Sequence, residues 1–465
     1  MKRRVFVGMG LAASLAPSGH GAVVGKGEKL RVVVIGLRSR GGWHMKSVLT
    51  SGRAELVGVC DCDEKILTER AAAISKKHGL SGLKTWTDYR RVCDDPEVDA
   101  ITVCTTNHTH VPIALAAAAA GKHVYLEKPL SHNLQEGEAL LAGQRRFGVI
   151  MAHGFQRRSE TAWQEAISRV RAGELGEIKV AHALCYKPRK PIGLVRTPQP
   201  PPATVDYDIW SGPRPLWPVL RQRFHYDWHW QKAYGNGDMG NQGPHQLDVC
   251  RWVTGDERKY PREVLTAGGR LGVADNGETA NTQVARFFQH EGVEIRFHLR
   301  GLPRRDRNWD LGMDQRQGVS VGNVIECEGG FLIGAHRPEC RFVDRQGKTI
   351  AEFRGQENHL HRWVDAALEG KQVWEHGVEC GHYSTALAHL SSLALEAGSP
   401  IAEGDWEEMG EDFLAMRQHL QANGVSPGRV CLGMTLKTDG QKILGPEAEQ
   451  IYDLDRETYR KGFQI

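Results

Sequence analysis

The stretch Arg31-Val32-Val33-Val34-Ile35-Gly36-Leu37-Arg38-Ser39-Arg40-Gly41 decides the fold. Val32 to Ile35 form a β-branched apolar run closed by Gly36, the pattern of a strand buried on both faces. A helix is expected to start near Gly41. The outer glycines keep the G-x-G-x-x-G spacing, but Arg38 replaces the middle one. Glycine there lets the backbone approach a pyrophosphate. Arg38 pushes the phosphates outward while offering them a guanidinium, and amides at the helix start, around Ser39, Arg40 and Gly41, attract them in either case. Asp61 follows Gly36 by 25 residues, at the end of a second strand over 54–59. A carboxylate there accepts hydrogen bonds from both ribose hydroxyls and repels a 2′-phosphate. The pattern therefore predicts a dinucleotide site that prefers NAD, with Arg38 leaving NADP open. A strand–turn–helix without a nucleotide is the alternative.

The same rhythm continues outward. Asp63 can cap a helix running to about residue 78. Residues 99–104 read as a buried strand, 111–120 as an alanine-rich helix stopped by Gly121, and 123–126 as a strand. A helix over about 134–147 and a strand over 148–152 complete the unit. Short strands alternating with helices imply an α/β, Rossmann-like, doubly wound parallel sheet. After Phe155 the pattern changes. A helix over 160–171, a strand over 178–184, alternating segments at 282–288, 293–299 and 323–327, and helices near 359–368 and 384–396 predict an α+β unit. Its sheet is expected to be mostly antiparallel, with helices on one face. The expected divisions are a signal peptide over 1–28, a Rossmann domain over 29–153 and a C-terminal α+β domain over 154–465 for substrate and oligomerisation.

Composition narrows the function. The 465 residues are 40% hydrophobic and 25% charged, with a formal charge of +4. That small excess does not point to nucleic acid, which needs a concentrated basic face. The ten cysteines lack zinc-like pairing, so no metal is expected. At the start, Arg3-Arg4-Val5-Phe6-Val7 precedes an apolar, small-residue stretch from Gly8 to Ala16. This resembles a twin-arginine signal, which exports folded proteins, so a periplasmic or otherwise exported protein is expected. No later segment has the ~18 uninterrupted apolar residues of a membrane span.

Two polar clusters fall at the carboxyl edge of the predicted parallel sheet, where such sheets bind ligands. One is Thr105-Thr106-Asn107-His108-Thr109-His110; the other is Glu127-Lys128-Pro129, after Gly121-Lys122-His123. With the Gly36 loop, Gly154-Phe155-Gln156-Arg157-Arg158, Leu175-Gly176-Glu177-Ile178 and Gly243-Pro244-His245-Gln246-Leu247-Asp248, these motifs resemble the Gfo/Idh/MocA family over roughly residues 30 to 400. Glucose–fructose oxidoreductase, inositol dehydrogenase and rhizopine-catabolism proteins give that family its name.

The resemblance implies an NAD(P)-dependent oxidoreductase acting on a sugar, polyol or derivative. It assigns Lys128 and His245 as acid/base groups, with a Lys128–Pro129 bond that is commonly cis. Glu127 and Gln156 match positions near the cofactor, and Thr105, Thr106, Asn107 and His110 belong to the cofactor-binding edge. It also implies a homo-oligomer. Chemically the pair is apt, because alcohol oxidation must remove a hydroxyl proton while hydride leaves.

Asn241 departs from the pattern, since many members carry aspartate there; an amide can position a hydroxyl but adds no negative charge. Gln242 lies beside it, and Asp248 shares a helix face with His245, either supporting the site or pairing with Arg251. Trp228 and His229, in the aromatic run Phe224 to Trp230, suit either a carbohydrate subsite or a core. Three functions compete. The leading one is a sugar or polyol oxidoreductase with tightly bound NAD. A redox-neutral glycoside hydrolase or lyase of the same superfamily is the second, favoured by export, since free NAD is scarce outside the cytoplasm. A non-catalytic nucleotide- or sugar-binding protein is the third.

Overall fold

The computed structural model describes residues 28–255, 258–290, 292–335 and 337–463. The leader expected over 1–28 therefore lies almost wholly outside the described residues.

The first unit runs β1 (Leu30–Ile35), α1 (Ser39–Thr50), β2 (Ala54–Cys60), α2 (Glu64–His78), β3 (Lys84–Trp86), α3 (Tyr89–Asp94), β4 (Ala100–Val103), α4 (His110–Ala119), β5 (His123–Leu126), α5 (Leu134–Phe147) and β6 (Met151–His153). All its strand pairs are parallel, in the order β3-β2-β1-β4-β5-β6. That order reverses between β1 and β4, and a crevice opens outside the carboxyl ends of strands at such a switch point. Gly36 ends β1 and Thr105 follows β4, so both loops predicted to bind ligand meet there. Strand residues Val32 to Ile35 are buried, as their apolar run requires. Asp63 does cap α2, accepting from the amides of Lys65 and Ile66.

The second unit runs α6 (Thr161–Arg171), β7 (Ile178–Tyr186), α7 (Tyr207–Ser211), α8 (Gly237–Asn241), α9 (Gly243–Thr254), β8 (Glu263–Gly269), β9 (Thr282–Phe288), β10 (Glu294–Arg300), β11 (Val321–Cys327), β12 (Gly330–Ala335), β13 (Glu339–Asp344), β14 (Thr349–Arg354), α10 (His359–Glu369) and α11 (Val378–Glu396). Its sheet runs β14-β13-β12-β11-β7-β10-β9-β8, extended by short strands near the C-terminus. The expected antiparallel character holds except between β7 and β10, which are parallel. Alternation along β7 sends Ala181, Ala183 and Cys185 to the face covered by α6, α9 and α11, where they join Trp163, Leu247 and Leu387 in the largest core. The opposite face is not bare: near β8 and β9 it packs against Trp406, Phe413, Met416 and Leu420.

Chain order and packing diverge at two places. Helix α10 follows the second sheet but buries Leu360, Trp363 and Val364 against the first, and Phe463 joins the core on that sheet's other face. No helix among the described residues is long and apolar enough to cross a membrane.

Candidate active site

The crevice at the switch point is a cavity of about 680 Å³. Its floor is the Gly36 loop. Gly36 has φ of +87°, and a Cβ there would lie 2.7 Å from the Cys104 carbonyl oxygen, so only glycine lets β1 and β4 close together. Gly41 is equally constrained, because its Cβ would fall 2.0 Å from the Gly36 oxygen. Arg38 is exposed and lines the cavity without filling it. Ser39 has φ of +27°, a strained value for a non-glycine residue that bends the loop into the first turn of α1. Asp61 accepts from the amides of Leu37 at 2.9 Å and Asp63 at 3.0 Å, which fixes its carboxylate on the cavity wall. Burial pushes that carboxyl up, and the two amides pull it partly back.

Thr105, Thr106, Asn107 and His110 line the other side. The His110 ring ties two loops together, with Nδ1 2.8 Å from the Pro129 carbonyl and Nε2 3.2 Å from that of Thr105. Asn107 donates to Asn236 Oδ1 at 3.0 Å. A glycine-floored crevice with helix-start amides, a cation and a carboxylate matches the charge pattern of a dinucleotide, and the volume lies in the range of ligand pockets.

A second cavity of about 440 Å³ shares Arg40, Glu127, Lys128 and Asn241 with the first. Lys128 occupies the junction, preceding a cis bond to Pro129. Its Nζ donates to the Asn241 carbonyl at 2.6 Å and to Asn241 Oδ1 at 2.8 Å. Burial, aided by Arg40 and Lys187 and opposed by Glu127, brings the Lys128 ammonium down to about 8. Glu127 Oε1 receives Arg40 Nε at 2.6 Å and Gln156 Nε2 at 3.3 Å, and lies 3.1 Å from His44 Nε2. Burial alone would raise this carboxyl; Arg40 and His44 override it and hold Glu127 well below the usual carboxylate range.

His245, in the first turn of α9, faces the second cavity. Its ring nitrogens have no protein hydrogen-bond partner among the described residues, and burial with the nearby Lys128 charge keeps the imidazole neutral. An amine poised near neutrality, a neutral imidazole and an amide oxygen thus meet at one place.

Trp228 and His229 line the first cavity, their rings stacked at 3.7 Å. Both belong to a 3-10 turn over Asp227–Trp230, and Trp228 also packs with Trp210, Phe224 and Tyr234. It is wall and core at once. Gln242 lines the second cavity.

For Asp248 the structure supplies a partner that the sequence did not suggest. Asp248 lies outside both cavities, fully buried, bonded to Arg158 Nε and Nη2 at 2.8 Å each and to Ser384 Oγ at 2.8 Å. Helix spacing places it near His245, but Arg158 and Ser384 take its carboxylate away from the lining of both cavities. Lys187 and Arg337, which line the second cavity, carry no motif and escape a reading of the sequence, while Arg157, also in that lining, lies in the Gly154 to Arg158 motif without an expected role. Away from the site, His182, His298 and Asp412 bring ligand-capable atoms within 4.8 Å of one another. Arg296 and Arg316 already contact the Asp412 carboxylate at 2.7 and 3.4 Å, which opposes a cation there.

Comparison with known proteins follows this geometry. Residues 30–155 match the family described as an oxidoreductase family with an NAD-binding Rossmann fold, and 192–272 match its C-terminal alpha/beta domain. Myo-inositol 2-dehydrogenase of Thermotoga maritima is 32% identical over 373 residues, 79% of this chain and 94% of that protein. Among solved structures, levoglucosan dehydrogenase in complex with NADH and levoglucosan superposes with a TM-score of 0.58 at 17% identity, covering 78% of this chain and 96% of that one. Aldose-aldose oxidoreductase from Caulobacter crescentus, complexed with glycerol, gives 0.56 at 18% identity, covering 78% and 96%.

Proposed function

The chain belongs to the Gfo/Idh/MocA oxidoreductase family, and from that premise we propose that it oxidises a hydroxyl of a sugar, polyol or sugar derivative with NAD in the larger cavity. The observation that carries this is the Lys128 ammonium, held by Asn241 where the two cavities join, with the unpartnered His245 ring facing the smaller one.

The loop amides from Gly36 to Gly41 and Arg38 would hold the pyrophosphate, and Asp61 the adenosine ribose. Thr105, Thr106, Asn107, His110, Glu127 and Gln156 would flank the rest. Bound nicotinamide supplies the hydride acceptor. Lys128 Nζ, neutral in a large fraction of molecules near pH 8, takes the hydroxyl proton, and the ammonium it becomes is received by both Asn241 oxygens. The neutral His245 ring accepts from or donates to a neighbouring hydroxyl and fixes the carbon to be oxidised. The Arg40–Glu127 pair holds the strand end that carries Lys128.

NAD is preferred over NADP, because Asp61 opposes a phosphate on the ribose. Tight cofactor binding, self-association and twin-arginine export complete the proposal. Light scattering of the purified protein tests self-association, a single monomeric mass counting against it. Incubation of the enzyme with NAD and a panel of sugars and polyols, followed by NADH absorbance, tests the activity. Absence of reduction across the panel, with NAD bound, would count against oxidation as the net reaction.

A further inference from the structure

The smaller cavity carries more positive charge than the proposed chemistry requires. Five cations line it, Arg40, Lys128, Arg157, Lys187 and Arg337, against three carboxylates, Glu127, Glu160 and Glu357. The carboxylates are committed: Glu127 to Arg40 at 2.6 Å, Glu160 to Arg157 at 3.3 Å, and Glu357 to Arg362 at 2.6 Å. Lys128 is held by Asn241. Lys187 and Arg337 remain, and neither has an ion-pair partner among the described residues.

Lys187 is the informative one. It follows the last residue of β7, half-buried, on the same cavity wall as His245 and Gln242. Its ammonium donates to Gln242 Oε1 at 3.4 Å, a neutral acceptor at the edge of hydrogen-bond range. A half-buried ammonium without an ion-pair partner, in the same lining as the buried Lys128 amine, offers an incoming anion a charged donor that no carboxylate of the cavity already occupies. Arg337 stands exposed on the same lining and can take the other side of such a group. The neutral sugar hydroxyls of the proposed substrate can accept hydrogen bonds from this pair but supply no charge to balance it.

We propose that the substrate carries an anionic group, a carboxylate or a phosphate, seated between Lys187 and Arg337 while its hydroxyl meets Lys128. The enzyme is then an oxidoreductase of acidic sugars, such as uronic or aldonic acids or sugar phosphates. This inference rests on the proposed function, so its test separates the two.

NADH is first titrated into the enzyme by calorimetry; failure to bind overturns the proposed function itself. The NADH complex is then titrated with matched sets of hexoses, their uronic acids and their 6-phosphates. Acidic members should bind about tenfold or more tightly than neutral ones, the increment of a charged hydrogen bond. Tighter binding of the uronates identifies a carboxylate, and of the esters a phosphate. Lys187→Gln, which keeps a polar side chain, should erase the preference while leaving NADH affinity and the neutral-sugar Kd within about twofold. A panel in which no acidic sugar outbinds its neutral counterpart overturns the inference, as does a Lys187→Gln variant that retains the preference.

Discussion

Lys128 Nζ donates to both oxygens of Asn241, the backbone carbonyl at 2.6 Å and Oδ1 at 2.8 Å. An amide oxygen accepts from the ammonium without a full negative charge to stabilise it. Burial therefore prevails, and the amine falls to about 8 instead of staying near its ordinary value of 10.5. A base must be neutral to act, so kcat/KM, which reports the free enzyme, should rise with pH along a limb centred near 8. Asn241→Asp adds the missing charge and should move that limb up by about one pH unit or more. Rates measured from pH 6 to 10 on both proteins check this; coincident profiles would separate Asn241 from the basicity of Lys128.

Lys128→Met should lower kcat by ~10²–10⁴-fold, the usual range for loss of an acid/base group. Methionine fills much of the same volume without burying a charge, so the melting temperature and NAD affinity should hold. Near-normal turnover in a folded, NAD-binding variant would remove Lys128 from the chemistry.

Much of the nucleotide half is legible in the sequence because its signals are local. Val32 to Ile35 state a buried strand, Gly36 and Gly41 state close backbone approach, and Asp61 follows at the expected distance. Strand β3, three residues long, is too short to show any period, and α3 after it has one turn and a half. Asp248 shows the limit of helical spacing. Its i,i+3 relation to His245 places both on one side of α9, but Arg158, 90 positions earlier in the chain, decides where the carboxylate is used. Lys187 has no local signal at all. Its meaning comes from which carboxylates are already taken, and only the packed chain reveals that.

The Arg158–Asp248 pair should behave as structure. Asp248→Ala leaves the Arg158 guanidinium in a buried setting without its bidentate partner. Breaking one side of such a pair costs about 3–5 kcal/mol, so urea unfolding should shift strongly. In the fraction that folds, the substrate KM should stay close to that of the unmodified enzyme. A large rise in KM with unchanged stability would return Asp248 to the substrate site.

Asp61 is expected to set the choice between NAD and NADP. Its carboxylate lies on the cavity wall, positioned by the Leu37 and Asp63 amides, and the exposed Arg38 lines the same cavity. NAD should bind more tightly than NADP in calorimetry. Asp61→Asn, which retains an acceptor oxygen but loses the charge, should narrow that gap mainly by improving NADP. Equal affinities in the unmodified protein would show that Arg38 outweighs the carboxylate.

Cofactor retention is common to two catalytic schemes left open by the sequence, and the fate of the hydride separates them. The leader, outside the described residues, is expected to send a folded protein to a compartment without an NAD pool, and the turn carrying Trp228 and His229 walls the cavity beside the nucleotide loop. Protein purified gently should therefore retain NAD(H) through gel filtration and turn over without added cofactor, and Arg3→Lys with Arg4→Lys should keep it inside the cell. Hydride taken from one sugar must then be returned to a second molecule or to the same one. Return to a second molecule yields one oxidised and one reduced product. Return to the same molecule, after proton abstraction and loss of a leaving group, yields a cleaved glycoside with no net redox change. Deuterium placed on the oxidised carbon reports the difference: in the first case it appears in a reduced partner, in the second it returns to the sugar that was cleaved. Mass spectrometry and NMR of the products read out its position. An empty cavity after gentle purification, with turnover that consumes free NAD in stoichiometric amounts, would identify an ordinary dehydrogenase and exclude both schemes of internal return.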